Sequence, residues 1–453
     1  GAAGGGAAGA SGIGGAAGMS GAAGASGASG ASGAAGASGA AGGAPGAIAQ
    51  LAAGGQHTCV RGGTAGVLRC WGFNSQGQLG DGTTDDRAAP TPVRESVGGP
   101  ELAGVGDLAL GEQHSCALMA DATLRCWGRN NAGQLGNGAS GTGADSPVPV
   151  VVRASAGGPA LGNVARVALG SQHSCAILVG GTLRCWGRND VGQLGNGVPA
   201  ASAPVPVPVL QSAGGPELTG VQAVALGERH TCALLAGGAV TCWGDNAFGQ
   251  LGNGTSGAAA SSAVPVAVLE AAAGPPLGGA LALALGDHHG CVLRPGGAVS
   301  CWGYNLYGQL GNGASGGGAN SAVPVAGREV AGGPPLTGVQ ALAFGAFHGC
   351  GSFADGTLRC WGYNLYGQLG QGAGGAPADS AVPVPVRESS GGAVFGGVEG
   401  FAVGGFHTCA RRAGQDLHCW GYDLHGQLGT GGGDVGEQPN PSPRPVVGLS
   451  PLP

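Results

Sequence analysis

The chain has 453 residues, of which 104 are Gly and 28 are Pro, and only 9% of its side chains are charged and 4% aromatic. Such a composition excludes a helical bundle or coiled coil, and no apolar run is long enough for a membrane-spanning helix. A formal net charge of −6 without any basic cluster excludes a nucleic-acid surface, so no nucleic-acid partner is expected.

In chain order, residues 1–47 come first and are almost only Gly, Ala and Ser. From Gly6 to Gly42 a Gly falls at every third position, the period that a collagen axis requires. The X and Y positions carry no Pro and no charge, so little would stiffen a triple helix. A disordered linker is the plain expectation, with a trimeric stalk as the alternative. In either case the segment would space the rest of the chain from an envelope anchor.

From residue 48 the chain repeats. Trp71, Trp127, Trp186, Trp243, Trp302, Trp361 and Trp420 are spaced by 56, 59, 57, 59, 59 and 59 residues. Each follows a Cys and precedes a Gly, and each copy runs on to Gly-Gln-Leu-Gly. A second Cys stands 10 residues upstream of the first (11 in the first copy), with a His two residues before it. A fixed period of this length means one repeat architecture rather than several unrelated domains.

Within one period the pattern predicts four strands. In the fourth copy strand A is Val221–Leu226, strand B runs from His230 to Leu235, and strand C from Ala239 to Trp243. The Ala-Gly-Gly between B and C predicts a tight hairpin. Strand D is the Pro-Val run near Pro204 to Leu210, or Val264 to Leu269 in the next copy. Pro restricts it to a sheet edge. The first strand A falls at Ile48–Ala53 and the last strand D at Pro445–Leu449, so seven complete units fit. The predicted fold is all-β: a seven-bladed β-propeller of four-stranded blades over residues 48–453, preceded by the low-complexity segment 1–47.

The motif W-G-x-N-x-x-G-Q-L-G together with H-x-C-A-L closely resembles the regulator of chromosome condensation repeat family. The resemblance covers residues 48–449 and also implies a seven-bladed propeller. Two features depart from the pattern. Asp423 replaces the motif Asn in the last copy, and the family's eukaryotic members usually lack the paired Cys.

Those Cys flank one hairpin in every copy, so they can face each other across strands B and C. Neighbouring strands are about 4.8 Å apart, which suits a disulfide. Seven bridges are expected: Cys59–Cys70, Cys116–Cys126, Cys175–Cys185, Cys232–Cys242, Cys291–Cys301, Cys350–Cys360 and Cys409–Cys419. Pairs of buried free thiols are the alternative. Zinc has the spacing against it. Bridges imply an oxidising compartment. The start at Gly1 without Met reads as a trimmed product, so the expected location is extracellular, periplasmic or cell-surface attached.

Seven His at one repeated position point to a structural hydrogen bond in each blade, not to a catalytic constellation, which needs different groups converging once. Asp81, Asp85 and Asp86 cluster without the full ligand pattern of a calcium loop. No catalytic set, cofactor or metal is expected.

Function in a repeat scaffold belongs where the copies differ. Two residues after each Trp stand Phe73, Arg129, Arg188, Asp245, Tyr304, Tyr363 and Tyr422. Five after it come Gln76, Ala132, Val191, Phe248, Tyr307, Tyr366 and His425. All five Tyr of the chain fall in these two columns. Just before the repeated His, Phe347 and Phe406 occupy the AB loops of the last two copies, and in an up-and-down blade the AB and CD loops share one end. An aromatic arc from Phe248 through Tyr304, Tyr307, Phe347, Tyr363, Tyr366, Phe406 and Tyr422 to Phe73 is therefore expected, with Arg129, Arg188 and Asp245 on the opposite side. Such an arc is typical of binding hot spots, although packing between loops would place the same residues there. The secreted bacterial propellers of the resembled family, one of which caps β-lactamases, imply a non-catalytic binder of an extracellular or envelope protein. A glycan-binding module and a purely structural envelope protein are the competing readings.

Overall fold

The computed structural model describes residues 48–449 except 64, 200–201, 376–377, 414–415 and 433–438. The Gly-Ala-Ser segment lies outside the described residues.

Seven four-stranded antiparallel sheets form a β-propeller, each sheet ordered A-B-C-D from consecutive strands. The A strands are Ile48–Ala53, Val105–Leu110, Val164–Leu169, Val221–Leu226, Ala282–Leu285, Val339–Phe344 and Gly400–Val403. Neighbouring A strands touch around a closed ring, so they line the axis and the D strands lie outermost. Blade seven meets blade one with no exchange of strands. Each blade is complete in itself, and closure rests on contacts between side chains and loops.

The local causes are visible in blade four. Leu235 ends strand B, Val240 begins strand C, and Gly237 and Gly238 take φ of 88° and 81° between them. Gly238 N donates to the Leu235 carbonyl and Leu235 N to the Ala239 carbonyl, so the loop is the three residues 236–238, and Gly is the residue that tolerates its two successive positive φ values. The turn sets the register that opposes Cys232 to Cys242. Every blade repeats this pairing, with Cα–Cα distances of 4.0–4.1 Å and all fourteen Cys joined in the seven expected bridges. A bridge in every blade points to an oxidising environment. Among the described residues no helix is long and apolar enough to cross a membrane.

The D strands begin and end earlier than the Pro-Val runs predict. Those of blades three and four are Ala203–Pro208 and Ser262–Ala267, and the last is Asn440–Pro445 rather than 445–449. The reason lies just past the strand. Val209 and Val268 are fully buried, and the chain there turns inward into an isolated bridge, as Leu269 does with Pro276. The last Val of each run serves the core and not the sheet edge.

Adjacent blades are joined by one repeated polar unit. Trp127 Nε1 donates to the Gln78 carbonyl of the preceding blade at 2.9 Å, and Ser115 Oγ donates to the same oxygen at 2.9 Å. His57 of that preceding blade meets Ser115 Oγ at 2.9 Å. The hydroxyl spends its one proton on the carbonyl, so His57 must supply the proton from Nε2. The same unit closes the ring. Trp71 and Thr58 both donate to the Gln427 carbonyl at 3.0 Å, and His407 meets Thr58 at 2.8 Å. The hydroxyl partner occurs for five of the seven His, not for all. His230 and His289 face Gly290 and Gly349 of the next blade, where no hydroxyl exists. Phe344 fills the space at Gly349, where an added Cβ would lie 2.1 Å from its ring, and packs on His289 at 5.1 Å. We expect Ser115→Ala to cost roughly 1–3 kcal/mol, because it orphans a buried imidazole N–H and a carbonyl lone pair at once. Urea unfolding measures this, and a loss below about 0.5 kcal/mol would contradict the linkage.

Candidate binding face

The AB and CD loops occupy one end of the propeller, tied together in every blade by the same hydrogen bond. The backbone N–H of Phe73, Arg129, Arg188, Asp245, Tyr304, Tyr363 and Tyr422 donates to the carbonyl of Gln56, Gln113, Gln172, Arg229, His288, Phe347 and Phe406 respectively. Below them the motif Asn braces the CD loop. Asn305 Oδ1 accepts from Leu310 N at 3.0 Å, while Nδ2 donates to the Ala314 carbonyl at 3.0 Å. At the seventh blade Asp423 accepts from Leu428 N at 2.9 Å, which keeps the first of these bonds.

On this scaffold the two variable columns interlock between blades. The ring five residues after Trp in one blade packs on the ring two residues after Trp in the next. Phe248 meets Tyr304 at 4.7 Å, Tyr307 meets Tyr363 at 4.6 Å, and Tyr366 meets Tyr422 at 4.7 Å. Within a blade the two rings are 6.3–6.4 Å apart. His425 continues the chain to Phe73 at 4.5 Å. Phe73 thus joins the arc through His425, an imidazole the sequence pattern left out of the aromatic set. Its column, shared with Tyr307 and Tyr366, was the available signal. A second row lies inward, where His288, Phe347 and Phe406 follow one another at 6.1 and 6.2 Å.

All of these rings are partly exposed. Burial pushes the Tyr363 phenol up to about 12, helped by neighbouring Tyr366, and raises Tyr304 as well. Among the described residues the hydroxyls of Tyr304, Tyr307, Tyr363 and Tyr366 donate to no protein group, and none is a buried orphan. They open to solvent.

The opposite side of the face is polar. Asp190 bridges Arg188 at 2.8 Å and Arg229 at 2.6 Å, and Arg129 donates to Gln113. Burial by itself would raise the Asp190 carboxyl, but hydrogen bonds from Arg188 and Gln193 and the charges of Arg188 and Arg229 outweigh it and hold Asp190 at about 2. Asp245, expected with these, is instead buried and accepts from Gln250 Nε2 at 3.0 Å, so it supports its own loop. Two of the three acids clustered in the first CD loop are engaged within the protein. Asp81 pairs with Arg87 at 2.8 Å, and Asp86 caps Asn74 N and pairs with His425.

At the axis the loops close into a narrow mouth. Gly54 and its equivalents approach the next blade so closely that a Cβ there would lie 2.7 Å from the Gly111 carbonyl and 2.3 Å from the His57 ring. The residue after each such Gly is Gly55, Glu112, Ser171, Glu228, Asp287, Ala346 and Gly405 in turn. A cavity of about 70 Å³ opens here, lined by Gly55, Gln56, Glu112, Gln113, Asp287, Ala346, Gly405 and Phe406. Periodicity carried no hint of it, because these side chains meet only across the ring.

Two models described as "Regulator of chromosome condensation (RCC1) repeat" match the chain. One matches residues 107–134, 164–193, 221–250, 281–309, 339–368 and 398–427. The other matches residues 66–118, 124–177, 181–234 and 355–411. The chain is 28% identical over 384 residues to the ultraviolet-B receptor UVR8 of Arabidopsis thaliana, covering 84% of this chain and 78% of the receptor. It is 34% identical over 213 residues to the human E3 ubiquitin-protein ligase HERC2, which is 47% of this chain but 4% of the ligase. Among solved structures, human WBSCR16 superposes with a TM-score of 0.61 at 22% identity, covering 83% of this chain and 94% of that one. Yeast RCC1 (Prp20), crystallised with Kap60, superposes with a TM-score of 0.63 at 19% identity, covering 87% and 84%.

Proposed function

The chain belongs to the regulator of chromosome condensation repeat family, and from that premise we propose that it is a secreted or surface-attached, non-catalytic propeller that binds another protein through the AB/CD face. The observation that carries this reading is the continuous row of rings from Phe248 to Phe73, with four unbonded tyrosine hydroxyls along it. Stiff aromatic side chains with a free polar tip give large contact area for little lost entropy. Rings braced by their neighbours are also pre-organised, which lowers the cost of binding.

A glycan reading fits less well. Each Tyr from 304 to 422 has ring neighbours close by, at tilted angles of 51–55° for the inter-blade pairs, which leaves little open flat face for a sugar to stack on. Catalysis fits poorly too. The seven motif His are fully buried, and the only repeated chemistry at them is inter-blade bonding. The bridged blades support an extracellular or envelope partner in an oxidising compartment.

The test compares proteins retained from extracellular fractions by wild type and by a variant combining Tyr304→Ala, Tyr363→Ala and Tyr422→Ala. Wild type should retain at least one protein that the variant loses, with affinity falling by roughly 2 kcal/mol or more for a hot-spot cluster. A variant that keeps every partner removes the aromatic face from consideration. A glycan array signal abolished by Tyr363→Ala would favour the carbohydrate reading instead.

A further inference from the structure

The axial mouth on the same face holds acidic groups that the protein satisfies only in part. Asp287 is surrounded by protein yet keeps a small accessible patch on the cavity, and its carboxylate has no hydrogen-bond partner among the described residues. Glu112 stands across the same cavity, wet on its open side, with Ser171 as its hydrogen-bond donor. Glu228 flanks both and pairs with His288 at 3.1 Å. Enclosure, together with the neighbouring Glu112 and Glu228 charges, raises Asp287 well above the usual carboxylate range. Glu112 is raised by burial first, with the Glu228 charge adding to it. A carboxyl left without a partner in this way ionises only at a cost, which a positive group placed against it would relieve.

The shape and chemistry of the mouth select the visitor. Its volume of about 70 Å³ exceeds that of a single water site and suits one cationic head group. Phe406 contributes an aromatic wall to the same cavity, and Phe347 stands beside it. Carboxylates opposite an aromatic ring are the complement of a guanidinium, which is planar, forks two N–H groups toward a carboxylate and stacks on rings. Guanidinium also stays charged where a lysine amine can shed its proton, which matters beside carboxylates whose own ionisation is suppressed. The acids are not arranged as a metal cage: among the described residues no three His, Cys, Asp or Glu groups are placed to hold an ion.

We propose that the mouth receives one arginine side chain from a loop of the protein partner, its guanidinium facing Asp287 and Glu112 with Phe406 at its flat side. The proposal rests on the aromatic face being a protein-binding surface, and it adds the partner's chemistry: an exposed arginine at the tip of a loop that reaches the axis. The arc then grips the base of that loop while the acids hold its tip.

The test uses the full chain and the peptide acetyl-Gly-Arg-Gly-amide as probe, observed through the backbone amides of Gly55, Ala346 and Gly405. Saturable shifts at these amides are expected, with affinity at least about fivefold weaker for Asp287→Asn. The same peptide with Glu in place of Arg should leave them unmoved. The isosteric Asn variant should keep its remaining spectrum, which separates lost binding from lost fold. Equal binding by wild type and Asp287→Asn would overturn the proposal, as would shifts away from the mouth or saturation of these amides by calcium. The triple tyrosine variant should bind this small probe as wild type does, since a single side chain does not span the arc. Failure at the mouth therefore stays distinguishable from failure of the aromatic face.

Discussion

Acidification from pH 7 to pH 5 should lower the melting temperature by on the order of 10–15 °C, a loss produced mainly by seven neutral histidines. Burial first, and neighbouring charges where they occur, hold His57, His114, His173, His289, His348 and His407 at about 3. His230 is lowered as well. The bonding explains the direction. In the five linked blades Nε2–H already points at a hydroxyl, while Nδ1 has no hydrogen-bond partner. A second proton at Nδ1 would create a buried cation with an unsatisfied N–H.

The folded values lie below the unfolded value of about 6.5, so between these limits the unfolded chain binds more protons. Stability is therefore full above about pH 6.5 and declines as pH falls toward 3. Each such His loses up to about 1.4 kcal/mol per pH unit well inside that window. Asp107, Glu112, Asp287 and Asp379 are raised by burial and act in the opposite sense, gaining stability as pH falls. They are fewer, and they temper the loss without reversing it. Calorimetry at half-unit steps of pH measures the effect. A melting temperature that stays flat from pH 7.5 to 5 would rule out neutral buried imidazoles as the seams between blades.

The second large effect concerns the bridges. Full reduction should unfold the chain at neutral pH, and the intact protein should resist reduction until it opens. Every bridged Cys is fully buried, so a reductant reaches sulfur only through local or global unfolding. Each bridge closes a separation of 10 or 11 residues, which constrains the unfolded chain by roughly 2–3 kcal/mol in the entropic account. Seven of them together exceed the net stability of about 5–15 kcal/mol that a folded domain usually has. Mass spectrometry after reduction in denaturant should show two added hydrogens per bridge. The reduced, alkylated chain should lose the fluorescence of its seven buried Trp. Retention of native fluorescence after complete reduction would mean that core packing alone holds the blades. Removal of one bridge by Cys232→Ala with Cys242→Ala should cost about 2–5 kcal/mol.

The content of one period could be read from the sequence. The blade-four strands Val221–Leu226 and His230–Leu235 and the opening strand Ile48–Ala53 fall where the pattern put them. The hairpin that opposes Cys232 to Cys242 is set by two adjacent Gly and needs nothing from the rest of the chain. Strand D was legible only in part. Its Pro-Val alternation looks uniform, yet the buried Val at its end answers to the Trp of the next blade.

The seven-fold repeat, the A–B–C register and the bridges follow from the order of residues, because they depend on contacts a few positions apart. The ring had to close before His407 could reach Thr58 across 349 positions, and consecutive blades had to stack before two His came to face Gly where the others find a hydroxyl. Closure also makes His425 complete the row of rings and brings Glu112, Glu228 and Asp287 to one mouth. These pairings join residues from different blades. Each position carries the same local signal in every copy, and only the assembled ring determines which differences between copies come to lie side by side.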